Sequence, residues 1–372
     1  MRWAEIDVGA LRHNAAQMKA TLAPSVQLLA MVKSNGYGHG AITASLAALA
    51  GGASWLGVYA PDEALALRHA GFTERLLVAG WSPRETLGAL VADDVDVTVF
   101  DAAGVDAVSA AAEACGARAR VHVKIDSGLG RLGARPAGLP ELVDALRRTA
   151  DRVEVAGVFT HFADPERNPD FTAEQHTRFL AAAEELKVVA PGALLHTCGS
   201  AAILAFPEMH HDLVRLGIAL YGYAPVDLLG AVTLRPCMTV LARVAQVKDV
   251  DAGETVGYNR AWTASATRRI ATVAIGYGQG IPRALSNRGS LMLGGHRCPI
   301  VGIVNMDQVT VDVTDIHGVS VGDVAMFFGV HGGVQIGADE VAAELQTIPH
   351  ELICGISAQV PRISVGELAE GG

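Results

Sequence analysis

Several features are scarce in this 372-residue chain, and each scarcity removes a class of function. There are only five cysteines, Cys115, Cys198, Cys237, Cys298 and Cys354. They are scattered, odd in number and form no C-x-x-C pair, so neither a disulfide framework nor a zinc site is expected. A reducing, cytoplasmic setting fits this usage. Basic residues are outnumbered: 29 Lys and Arg against 39 Asp and Glu give a formal net charge of -10. No basic stripe is visible, so nucleic acid is not an expected partner. No apolar run is long enough to span a bilayer. The opening MRWAEIDVGAL lacks the charged-then-apolar layout of a signal peptide, so neither a membrane partner nor export is expected. What is abundant is apolar: hydrophobic residues make up 50% of the chain. That suffices for two domains, or for one large barrel with an added piece.

Arg2 to Asp7 alternates like a strand, and the segment after Gly9 has a helical pattern. A rhythm then sets in. Short apolar runs recur at Gln27–Lys33, Trp55–Tyr59, Leu76–Gly80, Val95–Phe100, Val121–Asp126, Val153–Thr160, Leu194–Thr197 and Val214–Leu220. Between them lie mostly alanine- and leucine-rich amphipathic segments such as Pro61–His69 and Thr172–Val189. Pro61 suits a first helical position, where its missing N–H costs nothing. About eight strand–helix repeats in roughly 200 residues predict an α/β fold, a (β/α)8 TIM-like barrel, in preference to a doubly wound open sheet. Lys33, Lys124, Asp126, His161, His196 and Arg215 all fall within or just after one of these runs. Active sites of such barrels form at the C-terminal strand ends, which makes polar residues there site candidates. After about Leu228 the helical pattern fades. Valine- and threonine-rich alternation takes over in Met238–Val250, Ile270–Ile275, Ile300–Val313 and Val324–Gly329. The expected domains are therefore a barrel over 1–228 and a mostly β domain over 229–372.

The stretch Met31–Gly40, MVKSNGYGHG, reads as a buried strand ending in a glycine-rich turn. Lys33 at that exit is an ordinary solvated strand-end residue on its own pattern. The alternative is an amine made nucleophilic by its surroundings, because burying an ammonium is costly unless it is paired or used. The stretch resembles the K-A-D/N-A-Y-G-H-G motif of the alanine racemase family, pyridoxal-phosphate enzymes of fold type III. Further motifs follow in that family's order: VKIDSGLGRLG (Val123–Gly133), Thr160-His161-Phe162, His196 and Ser200 with the alanines after it, VRLGIALYG (Val214–Gly222), Gly257-Tyr258-Asn259 ahead of Trp262-Thr263-Ala264, IGYGQGIPRALSN (Ile275–Asn287), VGIVNMDQVTVDV (Val301–Val313) and IPHELICGISAQVPR.

The resemblance implies an N-terminal barrel, and a C-terminal β domain that helps close the partner subunit's active site. The strand near Trp3 often joins that second domain in the family. It also implies roles. Lys33 carries the pyridoxal 5'-phosphate and serves as one catalytic base. Tyr37, Ser200 and the backbone of Gly217 and Ile218 hold the phosphate, for which helix-terminal donors are suited. Arg131 binds the cofactor's phenolic oxygen and the substrate carboxylate. Lys124 matches a lysine that is carbamylated in many relatives. His161 lies beside the cofactor ring, and Arg215 meets the pyridine nitrogen. An always-charged arginine there disfavours protonation of that nitrogen, which weakens the electron sink and suppresses transamination. Tyr258 is the second base, acting in the opposing subunit. Its free pKa near ~10 requires assistance at neutral pH, supplied in the family by a tyrosine–histidine–arginine chain, here Tyr258, His161 and Arg215. Tyr277 lines the access channel, the Met306 N–H receives the substrate carboxylate, and Asp307 structures the approach.

The lining departs from the family pattern at Gly199 (usually Asn), Leu216 (Pro), Gln279 (Asp), Ile303 (Arg), Asn305 (Cys or Ser) and His350 (Tyr). His350 takes the place of a tyrosine near the phosphate and the substrate side chain. With Asn305, it gives a more polar pocket. The expectation is a homodimeric racemase for alanine. The alternatives are a racemase for serine or another small amino acid, a barrel pyridoxal-phosphate decarboxylase, and a non-catalytic cofactor-binding protein. Arginine at the pyridine nitrogen argues against the decarboxylase. The second domain and Tyr258 argue against the carrier.

Overall fold

A computed structural model of the chain describes residues 1–230 and 232–367. Residue 231 and the tail of the expected second domain, 368–372, lie outside the described residues. The chain divides into two compact units. One spans Leu11–Gly36 and Ala41–Arg235; the other combines Met1–Ala10, Tyr37–Gly40 and the chain from Pro236 onward.

The strand numbering begins with β1 (Arg2–Asp7). The first unit is the expected parallel barrel. Its strands are β2 (Gln27–Met31), β3 (Trp55–Val58), β4 (Arg75–Val78), β5 (Asp96–Val99), β6 (Ala119–Lys124), β7 (Val153–Phe159), β8 (Leu194–His196) and β9 (Leu213–Leu216). They are ordered β8-β7-β6-β5-β4-β3-β2-β9, every pair parallel. Between β8 and β9 the closure is irregular. It is made by the Asp212 N–H to Leu195 O (3.1 Å) and the Arg215 N–H to Cys198 O (2.9 Å). Helices follow most strands, and the Pro61–His69 helix has its proline in the first turn. Leu28, Leu29, Leu56, Leu76, Val97, Val121 and Val214 are completely buried, as strands covered on both faces require.

The last predicted run, Val214–Leu220, is only half strand. Extended structure stops at Leu216, and Ile218–Tyr221 is a 3-10 helix. The cause is local: the hydroxyl of Ser200 accepts the N–H groups of Gly217 (2.9 Å) and Ala219 (3.2 Å), so they do not join a ladder.

The second unit is built on a nine-stranded sheet that contains β1. Its other strands are β10 (Met238–Val250), β13 (Arg268–Val273), β14 (Ser290–Leu293), β15 (His296–Pro299), β16 (Val309–Asp312), β17 (Val324–His331), β18 (Val334–Ile336) and β19 (Arg362–Val365). The main path runs β15-β14-β17-β10-β1-β19, with β13 on β10, β16 on β13 and β18 on β17. A separate small hairpin pairs β11 (Thr255–Val256) with β12 (Trp262–Thr263). The predicted strand over 300–313 is realised only at Val309–Asp312. Before it, Gly302 N–H bonds Asn287 Oδ1 (2.6 Å), Val304 N–H bonds Ser286 Oγ (3.0 Å) and Asn305 N–H bonds Gln308 O (2.9 Å). Side chains and a tight turn satisfy the backbone that a strand partner would otherwise take.

Within this unit Arg362 anchors the Tyr37–Gly40 segment. Its guanidinium donates to Gly38 O (2.9 Å), Ser357 O (2.5 Å), Val360 O (2.7 Å) and Ile356 O (2.7 Å). Gly38 sits at φ 82°, and a Cβ there would lie 2.3 Å from the carbonyl oxygen of Ile353. Gly38→Ala is therefore expected to cost about 2 kcal/mol or more of stability through strain and overpacking. Gly116→Ala, at φ 61° but in open space, should cost clearly less. Urea midpoints of the two variants check the difference.

Candidate active site

Lys33 leaves β2 into a turn of unusual backbone. Ser34 (φ 53°, ψ 48°), Asn35 (φ 52°, ψ 51°) and Gly36 (φ 61°, ψ 47°) are successively left-handed. Non-glycine residues in that region cost about 1–2 kcal/mol each, and such strain concentrates at functional sites. Specific bonds hold the turn. Gly36 N–H bonds Val32 O (2.8 Å), and the Asn35 side chain accepts the Ala41 N–H (2.9 Å). Glu63, in the first turn of its helix, accepts the Ser34 N–H (2.5 Å) through one oxygen and those of Tyr59 (3.0 Å) and Ala60 (3.1 Å) through the other. One carboxylate thus fixes the exits of both β2 and β3. The Lys33 ammonium lies 5.9 Å from the Tyr59 ring centroid.

Around the C-terminal strand ends, Lys33, Lys124, Arg131 and Arg215 lie close enough to perturb His161 together. Burial, then Arg215, Lys124, Arg131 and Lys33, push the His161 imidazole well below its ordinary value, so it is neutral at physiological pH. Lys124 ends β6, with its nitrogen 5.1 Å from the Phe159 ring centroid. Burial first, then the charges of Arg215, Arg131 and Lys33, lower its amine from 10.5 to about 8. The nearby carboxylate, Asp126, is already engaged by the N–H groups of Gly128 (3.2 Å) and Gly130 (2.9 Å) and by Arg135 (3.3 Å). The mouth consequently carries excess positive charge.

Arg215 is the centre of this cluster. NH1 donates to His196 Nδ1 (3.0 Å) and His196 O (2.9 Å). NH2 donates to Thr160 O (2.6 Å), Thr197 O (2.9 Å) and His161 Nδ1 (3.2 Å). All five acceptors are neutral. Burial pulls the guanidinium down to about 10, still charged at neutral pH. Ser200 is buried and, as an acceptor of two backbone N–H groups, keeps its own O–H for another partner.

The remaining predicted residues belong to the second unit. Tyr37 and His350 face each other with ring centroids 6.1 Å apart. Tyr258 sits at the tip of the β11–β12 hairpin, between Gly257 (φ 76°) and left-handed Asn259 and Arg260 (φ 60° and 51°). With Gly257, Asn305, Met306, Asp307 and Gln308 it lines an open depression. Tyr277 N–H bonds Asn305 O (2.9 Å), and Gln279 joins Gly276 N–H (2.9 Å) to Asp307 (2.9 Å). Sequence reasoning missed Glu63 and a polar group in the barrel, buried Asp96 and His122 with the partly exposed Arg75 and Arg120. One signal was available: His122 lies two residues before Lys124 on β6, and alternation puts both on one face.

The family model for the alanine racemase N-terminal domain matches residues 6–225, and that for the C-terminal domain matches 237–364. An alanine racemase of Symbiobacterium thermophilum is 41% identical over 372 residues, covering 99% of this chain and 98% of the relative. The crystal structure of alanine racemase from Bacillus anthracis with bound L-Ala-P superposes with a TM-score of 0.91 at 35% identity, covering 98% of this chain and 95% of that one. That of alanine racemase from Bartonella henselae with covalently bound pyridoxal phosphate gives 0.87 at 27%, covering 98% and 99%. The chain belongs to the alanine racemase family. It is an amino-acid racemase, an isomerase.

The depressed Lys124 amine has a consequence for stability. Its charged form is worse off folded than unfolded, so in CO2-free buffer stability should rise as pH climbs from about 8 towards 10.5. Lys124→Met should flatten that rise in urea denaturation measured across the interval.

Proposed function

We propose that this chain is a homodimeric, pyridoxal 5'-phosphate-dependent alanine racemase that interconverts L- and D-alanine with two bases, Lys33 and the partner copy's Tyr258. The observation that carries this reading is the excess cation cluster at the barrel mouth, centred on an Arg215 bound only to neutral acceptors. The donor set suits the cofactor. Lys33 offers an amine at a strand exit. Ser200 offers an O–H, with Tyr37, His350 and the Gly217–Ile218 backbone as further phosphate holders, the Gly217 N–H sharing its bond to Ser200 Oγ with the phosphate. Arg215 would meet the cofactor's pyridine nitrogen as a donor and keep it from being protonated. When bound, the cofactor supplies the electron sink that acidifies the substrate Cα–H.

Racemisation needs one proton removed from one face of Cα and another delivered to the opposite face. Lys33 serves one face. Tyr258 serves the other from a second copy, which fits its 68% exposure and the 57% exposure of neighbouring Met306. His161 accepts from Arg215 at Nδ1, so as a neutral imidazole it carries its proton on Nε2. That N–H is the donor available to stabilise a tyrosinate. Arg131 holds the substrate carboxylate, with the Met306 N–H, Asp307 and the access-channel residue Tyr277 in support. An amine at about 8 also suits Lys124 for carbamylation: its neutral nitrogen bonds CO2, a proton leaves to solvent, and the anion formed pairs with Arg131. In the barrel decarboxylase alternative a stronger sink is required, which Arg215 opposes.

The test follows Cα-deuterium exchange by NMR with chiral analysis, for L-alanine and other L-amino acids in D2O. Exchange with racemisation, strongest for alanine, is expected; no exchange on any substrate overturns the proposal. Lys33→Ala and Tyr258→Phe should each slow racemisation by about 10²–10⁴-fold. Asn305 Oδ1 is buried without a described hydrogen-bond partner, and this polar lining supports secondary use of serine. His350→Tyr should therefore raise the alanine-to-serine ratio of kcat/KM severalfold, measured with both substrates; an unchanged ratio removes His350 from specificity.

A further inference from the structure

Behind Arg215, a line of buried polar groups crosses the barrel interior toward the opposite end of the strands. His196 Nε2 lies 2.9 Å from His122 Nδ1, and His122 Nε2 lies 3.2 Å from Asp96 Oδ2. Asp96 and both histidines are completely inaccessible to solvent. The line passes β7 at Gly157, where a Cβ would come within 2.3 Å of His122 Nδ1. Trp55 and Phe159 edge the His122 ring, and Phe159 stacks on His196 at 4.7 Å. At the far end Asp96 accepts from Arg75 (2.5 Å) and Arg120 (2.7 Å).

The two ends of this line are chemically one-sided. Arg215 can only donate, and an ionised Asp96 can only accept. Burial alone would raise the Asp96 carboxyl, but the hydrogen bonds from His122 and Arg75 and the charge of Arg75 outweigh it and hold it below its ordinary value. Each neutral imidazole between the ends has one N–H and one lone pair. Only one assignment then satisfies all three contacts. Arg215 donates to His196 Nδ1, His196 donates from Nε2 to His122 Nδ1, and His122 donates from Nε2 to Asp96. Either histidine in the other tautomer, or His122 doubly protonated, sets N–H against N–H somewhere along the line. If the fault reaches His196 Nδ1, it faces the guanidinium 3.0 Å away. Both nitrogens of Arg215 that the line and its carbonyl neighbours engage are terminal; among the described residues, its Nε–H alone has no such bond.

We propose that Asp96, acting through His122 and His196, is a positioning residue that locks both histidines in the Nε2–H form and thereby fixes the aim of the Arg215 guanidinium at the barrel mouth. This rests on Arg215 acting at the catalytic centre, but its first test does not. In enzyme labelled with 15N-histidine, with and without cofactor, long-range 1H–15N spectra should show two buried histidines as neutral Nε2–H tautomers, assigned by loss of one signal set in His122→Phe. An Nδ1–H or doubly protonated form at either position in the native protein overturns the lock. The second test is coupling. In His122→Phe, and independently in Asp96→Asn, the His196 signals should leave the pure Nε2–H pattern. The kcat for alanine should fall on the order of tenfold, as for other supporting contacts, with KM within about twofold; Asp96→Glu should recover part of the loss. Tautomers as assigned, but kcat unmoved in both folded variants, would overturn the positioning role while leaving the racemase reading intact.

Discussion

The structure of the barrel depends on how it houses one buried cation. A guanidinium removed from water is tolerable only if its donors are met, and Arg215 is met by groups from two strand ends: Thr160 and His161 after β7, and His196 with Thr197 at the end of β8. These are the residues at the irregular β8–β9 seam, where few backbone bonds close the ladder. The side chain therefore does part of the work that a regular strand pair does elsewhere in the ring. Phe159 adds a ring face, with its centroid 5.3 Å from the guanidinium carbon. The same acceptors are uncharged. The cation's field is left unneutralised at the mouth, where it adds to burial, the larger cause, in lowering His161 and Lys124. Closure of the fold and electrostatics of the site are two effects of one arrangement.

Arginine recurs as a collector of carbonyls elsewhere. Arg68, at the end of its helix, bonds Phe72 O, Glu74 O, Asp93 O and Asp94 O, and Arg362 does the same in the β unit. A planar fork with five donors can terminate several loops at once, which a lysine cannot. In the β unit this device tethers Tyr37 and Gly38, while Asn287 braces the Tyr258 hairpin by bonding both Ala261 O (3.0 Å) and the Gly302 N–H (2.6 Å). Gly38 and the Tyr258 hairpin are thus each tied by a side chain from outside their own loop.

Most of this fold was legible because its signals are local. Apolar runs of strand length, separated by amphipathic segments, mapped directly onto β2 to β9. Two runs misled for one reason. Val214–Leu220 and Ile300–Val313 are apolar enough for strands, yet Ser200, Ser286 and Asn287 capture their N–H groups, and a hydroxyl or amide arriving from more than a dozen residues away leaves no trace in hydrophobic periodicity. The cation cluster at the barrel mouth was legible through motif resemblance for Lys33, His161 and Arg215, which the fold brings together. Asp96 and His122 were not. Asp96 sits in a run that otherwise reads as an ordinary buried strand, His122 shows only as a polar residue two before Lys124, and what the two do comes from strand neighbours brought together by closure. Gly157, which leaves room for the side of the His122 ring that meets His196, reads in sequence as a mere interruption of β7.

The departures from the family pattern can be weighed by what each residue now does. Gln279 stands where an aspartate is usual, yet it is buried, accepts the Gly276 N–H and donates to Asp307. An ionised aspartate could accept the first bond but not make the second, and beside Asp307 it would add like-charge repulsion. The amide is therefore a repair that keeps the 276–280 and 302–308 loops joined. Gly199 stands where asparagine is usual, and a Cβ there would come within 3.3 Å of His161 Cε1. Its absence relieves crowding beside the imidazole that Arg215 orients. Both changes preserve the placement of groups that carry chemistry. Asn305, beside Tyr258 in the open depression, and His350, against Tyr37, differ in kind, because each changes the polarity of its position. Substitutions that maintain geometry argue for retained mechanism. Those that change polarity without disturbing geometry are where substrate preference is free to move.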